Sequence, residues 1–333
     1  MRKMSIITIL FAISILAFSQ ESPNSDLDYY RQLNNKEQRL SEYRDDDESL
    51  MLKLKQLAVI NSSRKRYKAP PVKLDILASR VANMMCREAA ENKFVSHWNL
   101  AGEKPYHRYA FAGGYDHVSE NVFGEWTNGE YDISSSTILD KMRLGHEGFM
   151  KEKAPYDGHK KNIIDKAHNW VGIGFYINSG QFRYYEEFIN RYLTFTNIPS
   201  QLKPGEQAII NVDTGGSGYL YFISIYRDDF PKPFKQSQLA KSGSYNDYGE
   251  ETYKNIPAWD LYRYRKGTSY AIPLMFSKEG LYYIQLFTDK KEITGSGAIS
   301  TKGKSPVSGI VISVRNSLFL QPAYRNQIAC YRH

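Results

Sequence analysis

Apolar residues recur at helical intervals through the first half of the chain. One such stretch begins at Leu50, a second at Asp75, and a third covers Ser136–Lys151. Each stretch places apolar side chains on one face at a spacing of three or four residues, which predicts an amphipathic helix. A shorter fourth helix is predicted over Lys161–Ala167.

The periodicity then changes to that of strands. Trp170–Ile177 and Tyr184–Phe195 are predicted as two strands joined by a turn at Asn178-Ser179-Gly180. Helices followed by an antiparallel hairpin favour a sheet covered by helices. We therefore expect an α+β domain over residues 49–198.

Beyond Ile198-Pro199 the pattern predicts strands and no helix. Turns rich in glycine or charge separate the apolar segments. This succession predicts a smaller all-β domain over residues 199–333, most simply a sandwich. Its many tyrosines suit packing positions, but aromatic faces of sandwich domains also bind sugars, so glycan recognition stays open. The predicted strands are Gln207–Val212, Tyr219–Tyr226, Tyr270–Phe276, Leu281–Phe287 and Ile310–Val314.

The N-terminus predicts export. Arg2 and Lys3 precede an apolar run over residues 6–18, which ends in the small residues typical of a cleavage site. We therefore expect a signal peptide over residues 1–19, since a membrane span needs roughly 20 apolar residues. The protein is predicted to be secreted to the extracellular space, with no membrane span in the mature chain.

Charge and cysteine content refine this picture. The formal net charge is +8, but basic and acidic residues are interleaved, so we expect no nucleic-acid partner. Residues 20–48 are polar and charged and predict a linker or a loosely docked helix. The two cysteines, Cys86 and Cys330, could form a disulfide in an exported protein, and two free thiols are the alternative.

Four polar residues could share one site. Two neutral imidazoles form a half-site for a divalent transition metal, and nearby carboxylates can orient them. No HExxH motif is present, so spacing does not indicate a metalloprotease. Residue chemistry alone does not single out these two of the seven histidines. The segments are FVSHWNLAG with His97, HVSENVFGE with Glu120, and HEGFMKEKAPYDGHKKNI with Glu152 and His159.

Taken in order, these segments resemble the CAP family of cysteine-rich secretory, antigen 5 and pathogenesis-related proteins, in its bacterial form. The resemblance covers about residues 50–198 and implies an α-β-α sandwich with a cleft that holds two histidines and two acidic residues. The segments that carry it are INSSRKRYKAPPVKLD (60–75), FVSH (94–97), HRYAFAGGYDHVSENV (107–122), GHKKNI (158–163), WVGIGF and YYEEF.

The resemblance assigns the cleft to His97, Glu120, Glu152 and His159. Three of these lie directly in matching motifs. Glu152 is placed by Phe149, which stands where many members have tryptophan three residues before the acid, and Glu147 is the competing acid. Animal and plant members carry several disulfides, which two cysteines cannot provide, so their specificity is not carried over.

Three functions follow from this resemblance, which implies no single shared reaction. The leading one is a binding module for a lipid or another small apolar ligand, with His97 and His159 holding a divalent metal such as zinc and no organic cofactor. No catalytic residue is assigned, because no serine or cysteine nucleophile with a paired base is apparent. In a metal-dependent hydrolase or peptidase, Glu120 or Glu152 would activate water. In the third, the four residues are structural and the C-terminal domain recognises an extracellular lipid, peptide or glycan.

Overall fold

The computed structural model describes residues 23–178 and 180–316. The signal peptide predicted over residues 1–19 and Cys330 lie outside the described residues. Within the described ranges, no helix combines the length and apolar character needed to cross a membrane. The helices of the first part are α1 (Pro23–Lys36), α2 (Asp47–Arg66), α3 (Ile76–Glu91), α4 (Pro105–Phe111), α5 (Ser135–Lys151) and α6 (Gly158–Ile164), with a 3₁₀ turn at Ser41–Tyr43.

A four-stranded sheet forms the centre of the first part. Its order is β1-β3-β4-β2, so β2 is an edge strand. One face packs on α2, α5 and α6 through side chains such as Ile173, and the other face packs on α3. On β3, a Cβ at Gly172 or Gly174 would lie 2.4 Å from the backbone of Ala78 or Ala82, so glycine permits this close helix. The expected α-β-α sandwich is confirmed. The strands are β1 (Lys73–Leu74), β2 (His117–Trp126), β3 (Trp170–Ile177) and β4 (Gln181–Asn190).

The segment predicted as a polar linker or docked helix contains α1, and α1 is docked. Tyr30 is only 8% exposed and joins the core of the first part. The buried guanidinium of Arg80 donates hydrogen bonds to the carbonyls of Asn34, at 2.7 Å, and Arg39, at 2.6 Å. This segment therefore supplies hydrogen-bond acceptors to the buried Arg80 cation. The linker interpretation is wrong for its described part.

The acidic run before α2 has a local role. The Asp46 carboxylate accepts a hydrogen bond from the Ser49 amide at 2.7 Å, which caps the helix and lowers the Asp46 pKa. We expect Asp46→Ala to lower the free energy of unfolding by about 1 kcal/mol in urea denaturation. Glu42→Ala, at an exposed position outside the helix, is the control and should change it by less than about 0.5 kcal/mol. Equal effects of the two variants would contradict the capping role.

Two further sheets form the C-terminal part. One has the order β10-β11-β7-β5 and the other β6-β13-β12-β8-β9. They share a core that includes Ile210, Ile272, Ile225 and Ile284, which makes a sandwich. The strands are β5 (Thr194–Thr196), β6 (Gln201–Leu202), β7 (Gln207–Asp213), β8 (Tyr219–Asp228), β9 (Glu251–Pro257), β10 (Arg265–Lys266), β11 (Ser269–Met275), β12 (Gly280–Asp289) and β13 (Ile310–Val314).

Two details of the C-terminal part differ from the sequence predictions. It contains two helices, α7 (Gln236–Leu239) and α8 (Ala258–Leu261), and a 3₁₀ turn at Tyr262–Tyr264, although no helix was expected. Elements this short do not produce a periodic pattern. Strand β5 belonged to the predicted strand Tyr184–Phe195, yet it pairs with β7 ahead of the predicted boundary at residue 199. The domain division itself stays a prediction.

The outer face of the larger C-terminal sheet packs on α4. The rings of Tyr283 and Tyr106 are stacked, with centroids 4.0 Å apart. Leu281 and Val311 join the same cluster, which also contains Val81 of α3. Because β12 is covered on both faces, its side chains from Gly280 to Phe287 are buried without alternation. The two parts therefore share a hydrophobic core.

Candidate functional site

The four residues named from the sequence meet at the edge strand β2. His97 lies in the loop after α3, Glu120 lies in β2, Glu152 follows the last residue of α5, and His159 is in α6. The imidazole centroids of His97 and His159 are 6.2 Å apart, with the rings tilted by 32°. We call the region between these rings the cleft. An edge strand suits this position, because its outer side has no neighbouring strand to fill the space.

His97 is held by a buried carboxylate. Its Nδ1 lies 2.8 Å from Oε1 of Glu120, and Oε2 of Glu120 accepts a hydrogen bond from the Arg108 guanidinium. The same guanidinium donates to the carbonyl of His97 at 2.7 Å. Burial and the charge of Arg108 lower the pKa of His97 to about 4, so the imidazole is neutral at physiological pH. Because Nδ1 of His97 donates a hydrogen bond to Glu120, the free lone pair of the neutral imidazole lies on Nε2.

A second buried acid, Glu187, is the neighbour of Glu120 on the adjacent strand. Glu187 of β4 stands opposite Glu120 in the strand register, and its Oε1 lies 3.9 Å from the Arg108 guanidinium. Burial and the charge of Glu120 raise the pKa of Glu187 well above its ordinary value. The shift favours the protonated form of Glu187, and the Arg108 guanidinium, which bonds Glu120, stabilises the charged form of that carboxylate.

His159 is held in the same way from the other side. Its Nδ1 lies 2.5 Å from Oε1 of Glu152, and Oε2 of Glu152 accepts the His159 backbone amide at 3.1 Å. The Phe149 ring packs against the imidazole with a centroid distance of 4.6 Å. The competing acid, Glu147, is exposed and pairs with Lys151 of its own helix. The acid that contacts His159 is therefore Glu152.

This donor set is compatible with a divalent transition metal. With each Nδ1 bonded to a carboxylate, Nε2 of His97 and Nε2 of His159 are the remaining donor atoms, and carboxylate-bonded imidazoles are typical of metal ligands. No cluster of three or more metal-ligating side chains occurs among the described residues. His97 and His159 would thus supply only two ligands, and other coordination positions would be open to external molecules.

A second polar network lies on the other face of the sheet. His146 bonds Glu186 through Nδ1 at 2.8 Å and Ser63 through Nε2 at 2.9 Å. Asn121 donates to Glu186 at 2.9 Å. Because both ring nitrogens of His146 are occupied, this histidine is a structural residue and leaves no donor for a metal.

A groove lies away from the cleft, at the opposite edge of the sheet. It has a volume of about 590 Å³ and includes Trp170, Arg191 and Asp116 in its lining. Of the three basic side chains in its lining, Arg191 bonds Asp75 and Asp116, each at 2.8 Å. No histidine is among the described residues that line this groove.

Cys86 cannot serve as a nucleophile at this site. It is fully buried in α3 as a free thiol, and burial raises its pKa well above the ordinary value. Its proposed disulfide partner, Cys330, lies outside the described residues.

Three residues of the site went unassigned in the sequence. Arg108 and Glu187 lie within the quoted HRYAFAGGY and YYEEF segments, so the motifs contained them without indicating a role. Tyr245 of the C-terminal part also contacts His97, with a ring centroid distance of 4.9 Å. Tyr245 lies far along the chain from the cleft motifs, so no local sequence pattern indicated its place in the site.

Comparison with known proteins points to one family. Residues 57–192 match the family model described as CAP, the cysteine-rich secretory protein family. No curated protein was found to match the chain.

Several solved structures resemble part of the chain. An extracellular protein containing a SCP domain from Bacillus anthracis str. Ames has 19% identity and a TM-score of 0.33, covering 41% of this chain and 40% of that one. A cysteine-rich secretory protein from Staphylococcus aureus has 16% identity and a TM-score of 0.28, covering 41% and 38%. An outer surface protein from Borrelia burgdorferi has 16% identity and a TM-score of 0.30, covering 40% and 89%. This chain thus spans about two fifths of the first two proteins.

Proposed function

We propose that this chain, which matches the CAP family model over residues 57–192, is a secreted ligand-binding protein with a metal-assisted cleft. His97 and His159 would hold a divalent metal ion such as Zn²⁺, and a small external ligand would complete the site. The observation that carries this proposal is the pair of imidazoles 6.2 Å apart, each with its Nδ1 bonded to a separate carboxylate.

Each side chain has a defined part in this proposal. Glu120 and Glu152 fix the ring orientation of His97 and His159 and raise the basicity of the outward nitrogens. The Arg108 cation opposes the effect of burial on the pKa of Glu120 and so favours its charged form. When bound, the metal would supply a Lewis-acidic centre for an oxygen or nitrogen atom of the ligand.

The hydrogen bonds favour binding over hydrolysis. Both oxygens of Glu120 accept hydrogen bonds, from His97 and Arg108. Both oxygens of Glu152 do so as well, from the ring and backbone of His159. A general base needs a basic atom within reach of the proton that it removes. These carboxylates are instead committed to orienting the imidazoles.

Zinc titration by calorimetry on the full chain tests the metal site. We expect His97→Ala/His159→Ala to abolish the binding seen in the wild type, because it removes both donors. Glu152→Gln should weaken binding about tenfold, since it loses the carboxylate that orients His159. Glu147→Gln is the matched control on the same segment and should leave binding unchanged within about twofold.

Two outcomes of this titration would refute the proposal. The first is a double variant that binds zinc as well as the wild type, which would place the ion elsewhere. The second is a wild type with no zinc binding, which would leave the four residues as a structural network. Peptide turnover that disappears in both Glu120→Gln and Glu152→Gln would instead establish the hydrolase.

A further inference from the structure

A long loop of the C-terminal part lies across the first part. It covers residues 229–250, between β8 and β9, and we call it the strap. The Phe234 amide donates a hydrogen bond to the Leu100 carbonyl at 2.9 Å. Leu239 is 1% exposed and packs in a cluster with Met85 and Cys86 of α3. The strap is thus anchored on the α3 face of the sheet.

Two further anchors lie on either side of Tyr245. Before it, the hydroxyls of Ser242 and Ser96 share a hydrogen bond of 2.7 Å. After it, the Asp247 carboxylate bonds Nε2 of His117 and accepts the Tyr283 hydroxyl. Because the chain is fixed within three residues on both sides, the backbone position of Tyr245 over the cleft is determined by the strap.

Tyr245 makes three contacts at the cleft. Its ring lies 4.9 Å from the His97 ring and 6.4 Å from the Trp98 ring, centroid to centroid. Its hydroxyl accepts a hydrogen bond from the Glu120 amide at 3.1 Å. That amide belongs to the edge strand β2, so Tyr245 takes the place of a missing neighbouring strand. His97 is only 8% exposed although it faces the cleft.

We propose that Tyr245 is the residue that controls access to His97 and therefore selects which molecules reach the metal-capable cleft. This inference rests on the proposed function, because selection matters only if the cleft binds a ligand. His159 is open by comparison, since its side chain is 31% exposed and that of His97 is 10% exposed. The C-terminal part thus supplies one wall of the cleft, and its Tyr245 ring restricts entry on the His97 side only.

Chemical modification of the metal-free protein tests this without requiring a metal. Diethyl pyrocarbonate acylates neutral imidazoles, and peptide mass spectrometry gives a separate rate for each histidine. In Tyr245→Ala, we expect His97 to react about tenfold faster than in the wild type, the factor expected for losing one aromatic contact and one hydrogen bond. His159 is the internal reference and should react at an unchanged rate.

Two variants act as controls. Tyr245→Phe keeps the ring over His97 and should protect it as the wild type does. Tyr248→Ala removes a tyrosine of the same strap that is 53% exposed and packs near Tyr226, and it should leave the His97 rate unchanged. The alkylation of Cys86 by iodoacetamide reports whether the strap stays docked, because Leu239 covers that thiol's cluster.

The outcomes separate cleanly. An unchanged His97 rate in Tyr245→Ala would overturn the inference, and so would joint exposure of His97 and Cys86, which would mean that the whole strap lifts. Cobalt titration of the same variants then addresses the proposed function separately. If the wild type binds no Co²⁺ through His97 and His159, the metal proposal fails, whereas the modification rates still show whether Tyr245 controls access.

Discussion

Replacement of Arg108 by methionine is expected to lower the free energy of unfolding by about 3–5 kcal/mol at neutral pH, because it leaves a buried carboxylate without its cation. Arg108 is fully buried, and its guanidinium bonds Glu120 and the carbonyls of His97 and Glu103. Methionine fills a similar volume, so the loss reflects charge and hydrogen bonding and not a cavity.

The deficit of Arg108→Met should depend on pH with a definite sign. Burial already raises the pKa of Glu120, and the Arg108 charge opposes that rise. Without the cation, the folded-state pKa of Glu120 moves further above its unfolded value. Protonation then stabilises the variant below the unfolded pKa, and this contribution is lost as the pH rises through the folded pKa. The deficit should therefore be larger at pH 7 than at about pH 5.

Urea denaturation at the two pH values measures both effects. Arg87→Met is the matched control, since Arg87 lies on α3, its side chain is 53% exposed, and its pair with Glu91 is at the surface. We expect that control to change the free energy by less than about 1 kcal/mol. A loss below about 1 kcal/mol for Arg108→Met, or a loss independent of pH, would contradict the charge balance described for the cleft.

The junction between the two parts should be weakened most by Asp228→Asn. Asp228, at the end of β8, is 2% exposed and accepts hydrogen bonds from the Tyr106 hydroxyl at 3.0 Å and the Glu250 amide at 2.6 Å. Lys104 lies 3.5 Å and His107 lies 3.3 Å from the same carboxylate. Asparagine keeps the volume but removes the charge and one acceptor, so we expect a loss of about 3 kcal/mol at neutral pH.

At acid pH, the free energies of unfolding of Asp228→Asn and the wild type should differ less than at neutral pH. Burial alone would raise the pKa of Asp228, but the hydrogen bond from His107 and the charge of Lys104 outweigh it and lower the pKa to about 2, from an ordinary 3.8. A depressed pKa contributes stability above the unfolded value, and this is lost as the pH falls through about 2. This separation of pKa values corresponds to about 2 kcal/mol.

Urea denaturation of both proteins between neutral pH and about pH 3 tests this dependence. Asp229→Asn is the control, because the neighbouring side chain is 65% exposed and should contribute little. If the gap between Asp228→Asn and the wild type stayed constant down to acid pH, the carboxylate charge would not be what stabilises the junction. An equal loss of stability in Asp229→Asn would show that the effect is not specific to the buried carboxylate of Asp228.

The strand that carries Glu120 could not be predicted from the hydrophobic pattern. Strand β2 was not predicted, because it contains Ser119, Glu120 and Asn121 in succession, without apolar alternation. In the structure, Glu120 bonds Arg108 on one face of the sheet, and Asn121 bonds Glu186 on the other face. Burial of such residues depends on partners from other elements, so local periodicity could not indicate it.

The sequence by itself determined the main helices, the hairpin strands β3 and β4, five strands of the C-terminal part and, through ordered motifs, the four residues of the cleft. These features are set by local periodicity and by short segments, which a chain displays directly. The tertiary structure alone decided that Glu187 lies beside Glu120 and that the Tyr245 ring packs against His97. Both depend on the distances between residues far apart in the chain, and therefore on packing between elements that no local pattern records.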